Sequence, residues 1–385
     1  MNALLDPKAE SWRFTPVEPL MGPAFEPAGR PERVTPLAGK VLCPVGFHRV
    51  ALVNGRREPK HDLLKLPAGV TVESCAEAAW DAPKDLPLAG LAAAAPGLVI
   101  RVARHVKVDQ PLHIVHLAEP SGSGRPEASH ARVLVALEPG ASAELIEESW
   151  SDSPTPSWTD TWTRVSLGEG SSLKHYRVVR EGGQGRRTAF VETTLASRAR
   201  YESHAVNLGG LLAREDLRAR LEGEGAECLL GGLVLLAGSD TADHHTVVTH
   251  ATVGGTTNQL YKAVLDHRSR FIFDGLIDVR PGAQKTDAKV YNKNLLLSED
   301  AKVNSNPEFK ILADDVSCKH GGAMGQMSAD SLFYLRSRGI GAEEARRLLV
   351  YAFGSEMVER ITLEPLRTAL AAALSARSPQ SLEAM

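Results

Sequence analysis

The sequence predicts a mainly β protein: a β-solenoid core set between a short irregular N-terminal region and a C-terminal helical domain. Three observations predict it. From about Gly97 to Val316, short β-rich segments follow one another, each closed by Gly, Pro, Asp or Ser, with no convincing helix between them. A leucine or valine followed by a turn-like cluster recurs in this stretch, as in L-E-P-G-A at Leu137, L-G-E-G-S at Leu167, L-E-G-E-G-A at Leu221 and V-R-P-G-A at Val279; from Leu195 onward the steps are 13, 13, 15, 29 and 14 residues. A unit of about 14 residues, or about 28 per pair, cannot bury its own apolar face and must stack on the next. After Gly321 the pattern changes to that of amphipathic helices. The competing arrangement is an antiparallel sandwich with hairpins of similar length.

Residues 1–95 form the irregular cap. Pro16, Pro19, Pro23, Pro27 and Pro31 punctuate it and exclude long helices. Short strands are expected at Lys40–Val45, at Val50–Val53 and within Gly69–Ala79, with the start of a short helix at Cys75–Trp80. Residues 96–321 form the core, with strands at Val99–Val102, Leu112–Leu117, Val133–Leu137, Arg164–Leu167, Leu233–Leu236 and Thr246–His250. L-L-A-R-E-D-L-R-A-R-L, Leu211–Leu221, has a helical alternative, but its place in a series of strands assigns it to a strand. Val248, Leu265, Ile277 and Leu295 are expected to point inward and stack between rungs.

Residues 322–385 form the helical domain. Ser328 caps a first helix that runs through Arg338 and stops at Gly339. A second follows Gly341, with Ala345, Leu348, Leu349, Ala352 and Phe353 on one apolar stripe. A third starts near Thr362, carries Pro365 in its first turn, and presents Leu366, Leu370, Ala373 and Leu374. About 55 residues are too few to hide every face, so this domain leans on the solenoid end or on a partner.

Composition narrows the function. Lys and Arg total 44 against 47 Asp and Glu, a net charge of −3, which argues against a nucleic-acid partner. Charged residues at 24% and apolar residues at 43% are those of a folded soluble chain, and aromatics at 5% leave a core of Val, Leu, Ile and Ala. The most apolar stretch, Leu86–Ile100, is interrupted by Pro87, Gly90, Pro96 and Gly97, so no membrane span is expected. The N-terminus lacks a basic region and a continuous apolar run, so no secretory signal is expected. Cys43, Cys75, Cys228 and Cys318 are scattered, which fits a reducing cytoplasm and gives no self-contained iron–sulfur site.

Three places carry chemistry. In D-H-H-T-V-V-T-H, Asp243–His250, a strand puts His244, Thr246, Val248 and His250 on one face and Asp243, His245, Val247 and Thr249 on the other. A hydrolase metal site on His244, His245 and His250 competes there with plain hydrogen bonding along a stack. In A-D-D-V-S-C-K-H-G, Ala313–Gly321, Cys318 and His320 share a face about 7 Å apart. They make half of a soft-metal site, whose other ligands must come from another rung or another chain; a buried Cys with a capping His is the alternative. Lys285 and Asp287 would serve a solenoid enzyme acting on a polymer, or stand in a solvated turn. No P-loop, G-x-G-x-x-G or G-x-S-x-G motif is present.

The stretch L-D-H-R-S-R-F-I-F-D-G-L-I-D-V-R-P-G-A-Q-K-T-D-A, Leu265–Ala288, resembles the SufB/SufD family of iron–sulfur cluster assembly proteins. The resemblance continues through N-K-N-L-L-L-S-E-D-A at Asn292–Ala301, N-P-E-F-K-I-L-A-D-D-V-S-C-K-H-G at Asn306–Gly321 and L-F-Y-L-R-S-R-G-I at Leu332–Ile340. E-S-W-R-F-T, Glu10–Thr15, looks like the family's N-terminal tryptophan motif. Length and the C-x-H-G sequence are those of the SufD branch; a SufB-like paralogue is the alternative. Family members usually carry a longer helical segment before the tryptophan motif.

The resemblance implies a right-handed parallel β-helix followed by C-terminal helices, and a non-enzymatic scaffold in a complex with a SufB-like paralogue and the ATPase SufC. It implies that His320, and less so Cys318, holds iron or a nascent iron–sulfur cluster at the SufB interface beside a SufB cysteine. SufC docking is expected on Phe333, Tyr334, Leu335, Arg336, Arg338, Gly339, Ala345, Leu348, Leu349 and Phe353, with a soluble β-helix left when the helical domain is removed. A homodimer in isolation and a reduced flavin in the complex complete the expectation.

Overall fold

A computed structural model describes residues 9–31, 36–37, 41–42, 47–75, 80–86 and 88–376. The strands are β1 (Glu26–Pro27), β2 (His48–Val53), β3 (Arg56–Arg57), β4 (Val70–Cys75), β5 (Gly97–Val102), β6 (Leu112–Ala118), β7 (Glu127–Leu137), β8 (Ser142–Ser151), β9 (Ser157–Leu167) and β10 (Ser172–Glu181). They continue as β11 (Gly185–Leu195), β12 (Arg200–Asn207), β13 (Leu212–Leu221), β14 (Glu227–Leu236), β15 (Thr241–His250), β16 (Thr256–Leu265), β17 (Arg270–Val279), β18 (Asp287–Leu296), β19 (Lys302–Ile311) and β20 (Ser317–Gln326). The helices are α1 (Glu18–Met21), α2 (Ala89–Ala93), α3 (Ala329–Ser337), α4 (Ala342–Glu359) and α5 (Glu364–Ser375).

The chain winds as a β-solenoid of about 7 turns. From β5 onward, odd strands form one sheet in the order β19-β17-β15-β13-β11-β9-β7-β5-β4, and even strands form the other, β20-β18-β16-β14-β12-β10-β8-β6-β2-β3. Consecutive strands alternate between sheets, so each turn spends two sequence units. Tyr201 therefore lies beside Cys228, and Cys228 beside Thr257. All solenoid pairs are parallel, and only the terminal pairs β2–β3 and β4–β5 are antiparallel. Leu212–Leu221 is a strand, because its alternating inward residues Leu217, Ala219 and Leu221 fill the stack.

Inward residues of both sheets make one continuous core, which contains Val248, Leu265 and Ile277. Leu295 differs from the expectation. In β18 the inward positions are Ala288, Val290, Asn292 and Asn294, so Leu295 points outward and packs under the helices. The run N-K-N-L-L-L hides this, because polar asparagines take the interior and hydrogen-bond there: Asn292 donates to the Tyr261 carbonyl and Asn294 to the Asn292 side chain.

The helical domain leans on the flank of the solenoid, not on its end. Val350, Met357, Val358, Ile361, Leu366, Leu370 and Leu374 pack on Tyr176, Val178, Val206, Leu233, Leu235, Leu260 and Val264 of the even-strand sheet. This sets a different stripe on α4 from the one expected. Ala345, Val350, Gly354, Met357 and Val358 are buried, while Leu348 and Ala352 face solvent. Gly354 is needed at the α4–α5 crossing, where a Cβ would come within 2.7 Å of the Leu374 side chain. Ser328 caps α3 by accepting from the Ser331 amide, and Gly339 ends it at φ +86°.

In the cap, β2 and β4 cover two of the expected strands. The Cys75–Trp80 helix and most of Lys40–Val45 lie outside the described residues. The short helix α2, an alanine-rich turn that buries Ala89, Ala92 and Ala93, was not expected. The tryptophan segment lies across the outer face of the odd-strand sheet. Trp12 is buried beneath the Arg214 guanidinium, 4.1 Å from the ring centre. Arg214 donates to the Ser11 carbonyl and to Asp243, and the Thr15 hydroxyl donates to the same carboxylate. No helix among the described residues is long and apolar enough to cross a membrane.

Candidate functional site at the open end of the solenoid

The last turn, β19 and β20, ends both sheets, and each strand pairs on one side only. An unpaired edge offers free backbone donors and acceptors. The core is also uncovered here: Val303, Phe309, Val316 and Cys318 pack on it from one side and stay half-buried. Ile311, Leu312 and Met324 are exposed at the same end.

His320 stands in this turn. It follows Val290 in the inward stack of the even-strand sheet, and Phe309 follows Ile277 in the other. The two rings meet edge to face across the interior, with centroids 5.3 Å apart at 80°. Phe309 therefore fixes the imidazole from below and leaves the other side open. Two residues earlier, Cys318 follows Ala288 on the same inward face, as the spacing predicted, but it is half-buried. Burial, with the Asp287 carboxylate adding to it, pushes the Cys318 thiol up. The exposed imidazole is the better-placed donor, and it needs ligands from elsewhere. Phe309 was missed in the sequence because only the stacking register shows that it faces His320.

The other candidates separate. His244 and His250 point inward, and His245 points outward to Asp243, 2.9 Å away. His250 is bonded to the Thr257 hydroxyl, and His244 packs edge-on against Tyr261 and Phe271. The trio cannot converge on one ion, which removes the hydrolase reading. Lys285 sits in an exposed turn, paired with Asp315, and Asp287 is paired with Lys289.

On the helical domain, Phe333 and Tyr334 are 74% and 57% exposed, and Leu348 and Tyr351 join them as large apolar side chains in solvent. Arg338 lies over the Tyr334 ring, Arg336 and Gly339 are exposed, Leu335, Leu349 and Phe353 are half-buried, and Ala345 is buried inside the domain. Tyr351 belongs to this surface but was not singled out, because a stripe read from sequence assigns it to neither face.

A family model described as "SUF system FeS cluster assembly, SufBD core domain" matches residues 119–353. The chain is 29% identical to an iron–sulfur cluster assembly SufBD family protein of Synechocystis, with 96% of this chain and 86% of that protein covered. It is 28% identical to the iron–sulfur cluster assembly protein SufD of Escherichia coli, with 97% and 89% covered. It is 32% identical to the chloroplastic protein ABCI7 of Arabidopsis thaliana, with 70% and 58% covered. With a family match spanning most of the solenoid, α3 and the first two thirds of α4, the chain belongs to the SufBD family of the SUF system for iron–sulfur cluster assembly.

Proposed function

We propose that the chain is a SufD-type scaffold subunit, without catalysis of its own, whose open end is completed by a SufB-like paralogue in the cytoplasm. The observation that carries this is the uncovered last turn: two free strand edges, a half-buried apolar floor and an exposed imidazole together. A second solenoid end would satisfy the edges and bury the floor. A second copy of this chain has the same chemistry to offer, which is the basis of a homodimer in isolation.

In the heteromeric complex, His320 supplies one neutral nitrogen ligand to iron or a nascent cluster, the cargo of the assembly, beside a cysteine of the paralogue. Cys318 is secondary. The exposed Phe333, Tyr334 and Leu348 surface, with Arg336 and Arg338, receives the SufC-type ATPase. Residues 1–95 serve as cap, those from 96 through the end of β20 at Gln326, five residues past the expected boundary, as scaffold, and the rest to 385 as docking domain. Reduced flavin is not part of the proposal.

His320→Ala tests the reading. It removes one exposed ring and no core volume, so folding and complex assembly should stay near normal. Cluster formation in cells dependent on this pathway should drop sharply, and Cys318→Ser should do less. Normal cluster maturation with His320→Ala in an intact complex would remove the histidine from the mechanism.

A further inference from the structure

Midway along the solenoid interior, one small cavity is walled by hydrogen-bond donors. Arg177 of β10 and Asn207 of β12 line it from one sheet, and Arg187 of β11, Glu215 of β13 and His244 of β15 line it from the other. Arg177, Arg187, Asn207 and His244 are 4%, 6%, 1% and 4% exposed, so none of them reaches bulk water.

Their hydrogen bonding is incomplete in one direction. Arg177 Nη2 lies 3.0 Å from a Glu215 oxygen, but its Nε and Nη1 have no partner. Arg187 Nη2 donates to the Thr161 hydroxyl, and its Nη1 has no partner. The Asn207 side-chain oxygen accepts from the Gly209 amide, and its Nδ2 has no partner. Unpaired buried donors, two of them on guanidinium groups, are costly. The free space is about that of one water-sized particle. A water accepts about two hydrogen bonds and must itself donate about two. Here the donors awaiting an acceptor outnumber that, and the lining groups able to receive a water's hydrogens are His244 Nδ1 and the Glu215 carboxylate, one oxygen of which already faces Arg177. A monatomic anion accepts from every side and donates nothing.

We infer that this cavity binds one small inorganic anion of halide size, held by Arg177 and Asn207 from one sheet and Arg187 from the other. The anion crosslinks the two sheets. Asn207→Asp supplies a fixed carboxylate in its place while keeping the oxygen that accepts from Gly209.

The test uses the full chain in bromide or in gluconate, which is too large for the cavity, at equal ionic strength. The thermal midpoint should be several degrees higher in bromide. Crystals grown in bromide should show an anomalous peak within hydrogen-bond distance of Arg177 and Arg187. In Asn207→Asp both the peak and the bromide dependence should disappear, with stability retained. No bromide peak in the wild-type cavity, or a peak unchanged in Asn207→Asp, overturns the inference. If Asn207→Asp does not fold, the wild-type bromide map alone decides.

Discussion

Replacing Ile277 with aspartate tests how the end of the solenoid is held. Ile277 is fully buried and stacks between Val248 of the previous turn and Phe309 of the last. Losing its burial costs about 1.5–3 kcal/mol. The new carboxyl finds no partner among Val248, Phe309 and the core around them, and burying it adds about 2 kcal/mol or more whether it stays charged or takes up a proton. A total near 5 kcal/mol rivals the whole stability of many domains, about 5–15 kcal/mol. Because a solenoid is stacked in one dimension, that cost falls on the turns next to the change. β17 to β20 should open while β7 to β13 stay closed, which takes His320 and its floor with them. Hydrogen exchange read by mass spectrometry measures this directly: amides of β17–β20 should lose protection, and those of β7–β13 should keep it. Leu295→Asp is the contrast, because Leu295 faces the helices; it should loosen α4 and α5 and leave β17 and β19 protected. Wild-type protection throughout in Ile277→Asp, with an unchanged thermal midpoint, would refute the stacked core at this position.

Three further outcomes are expected. His250 is buried and its pKa is pushed down from 6.5 to about 4 by that burial; the unfolded chain takes up a proton that the folded chain refuses, so stability is full above pH 6.5 and falls through the window down to pH 4, by up to about 3 kcal/mol. His113, His116, His175 and His244 shift in the same direction, so the thermal midpoint should drop on acidification and His250→Asn should flatten part of the drop; a midpoint constant from about pH 7 to about pH 4.5 contradicts this. Arg214→Met leaves Asp243 buried beside His245 without its guanidinium partner and removes the bond to Ser11, costing about 3–5 kcal/mol locally; limited proteolysis should then cut near residues 10–15 first, and unchanged resistance there would show that the strap is held by other contacts. Phe333→Ser combined with Tyr334→Ser should abolish association with the SufC-type ATPase without altering the solenoid, and full affinity in a pull-down would move the docking site elsewhere. Point changes are preferred to deleting residues from Ser328 onward, because deletion would uncover Val178, Val206, Leu233, Leu235 and Val264 and cost the truncated chain its solubility.

Local chemistry was legible in the sequence. The turn clusters at steps near 14 residues reported the solenoid, because every turn needs the same corner. Its place in a series of strands assigned Leu211–Leu221 to a strand, period-two alternation put Cys318 and His320 on one face, and Ser328 and Gly339 marked the ends of α3 through backbone geometry alone. What needed the tertiary structure is set by neighbours distant in sequence. Leu295 left its expected inward place, which Asn294 takes, because the interior of that turn is a hydrogen-bonded layer, which apolar patterning cannot announce. The buried face of α4 was decided by the flank of the even-strand sheet and by Leu374 closing on Gly354, so Leu348 was left in solvent. Trp12 found Arg214 some two hundred positions away, through contacts that leave no periodic trace. That His320 stands over Phe309 at an uncovered end follows from which strand comes last in each sheet, and stacking order is a property of the whole winding, not of any segment.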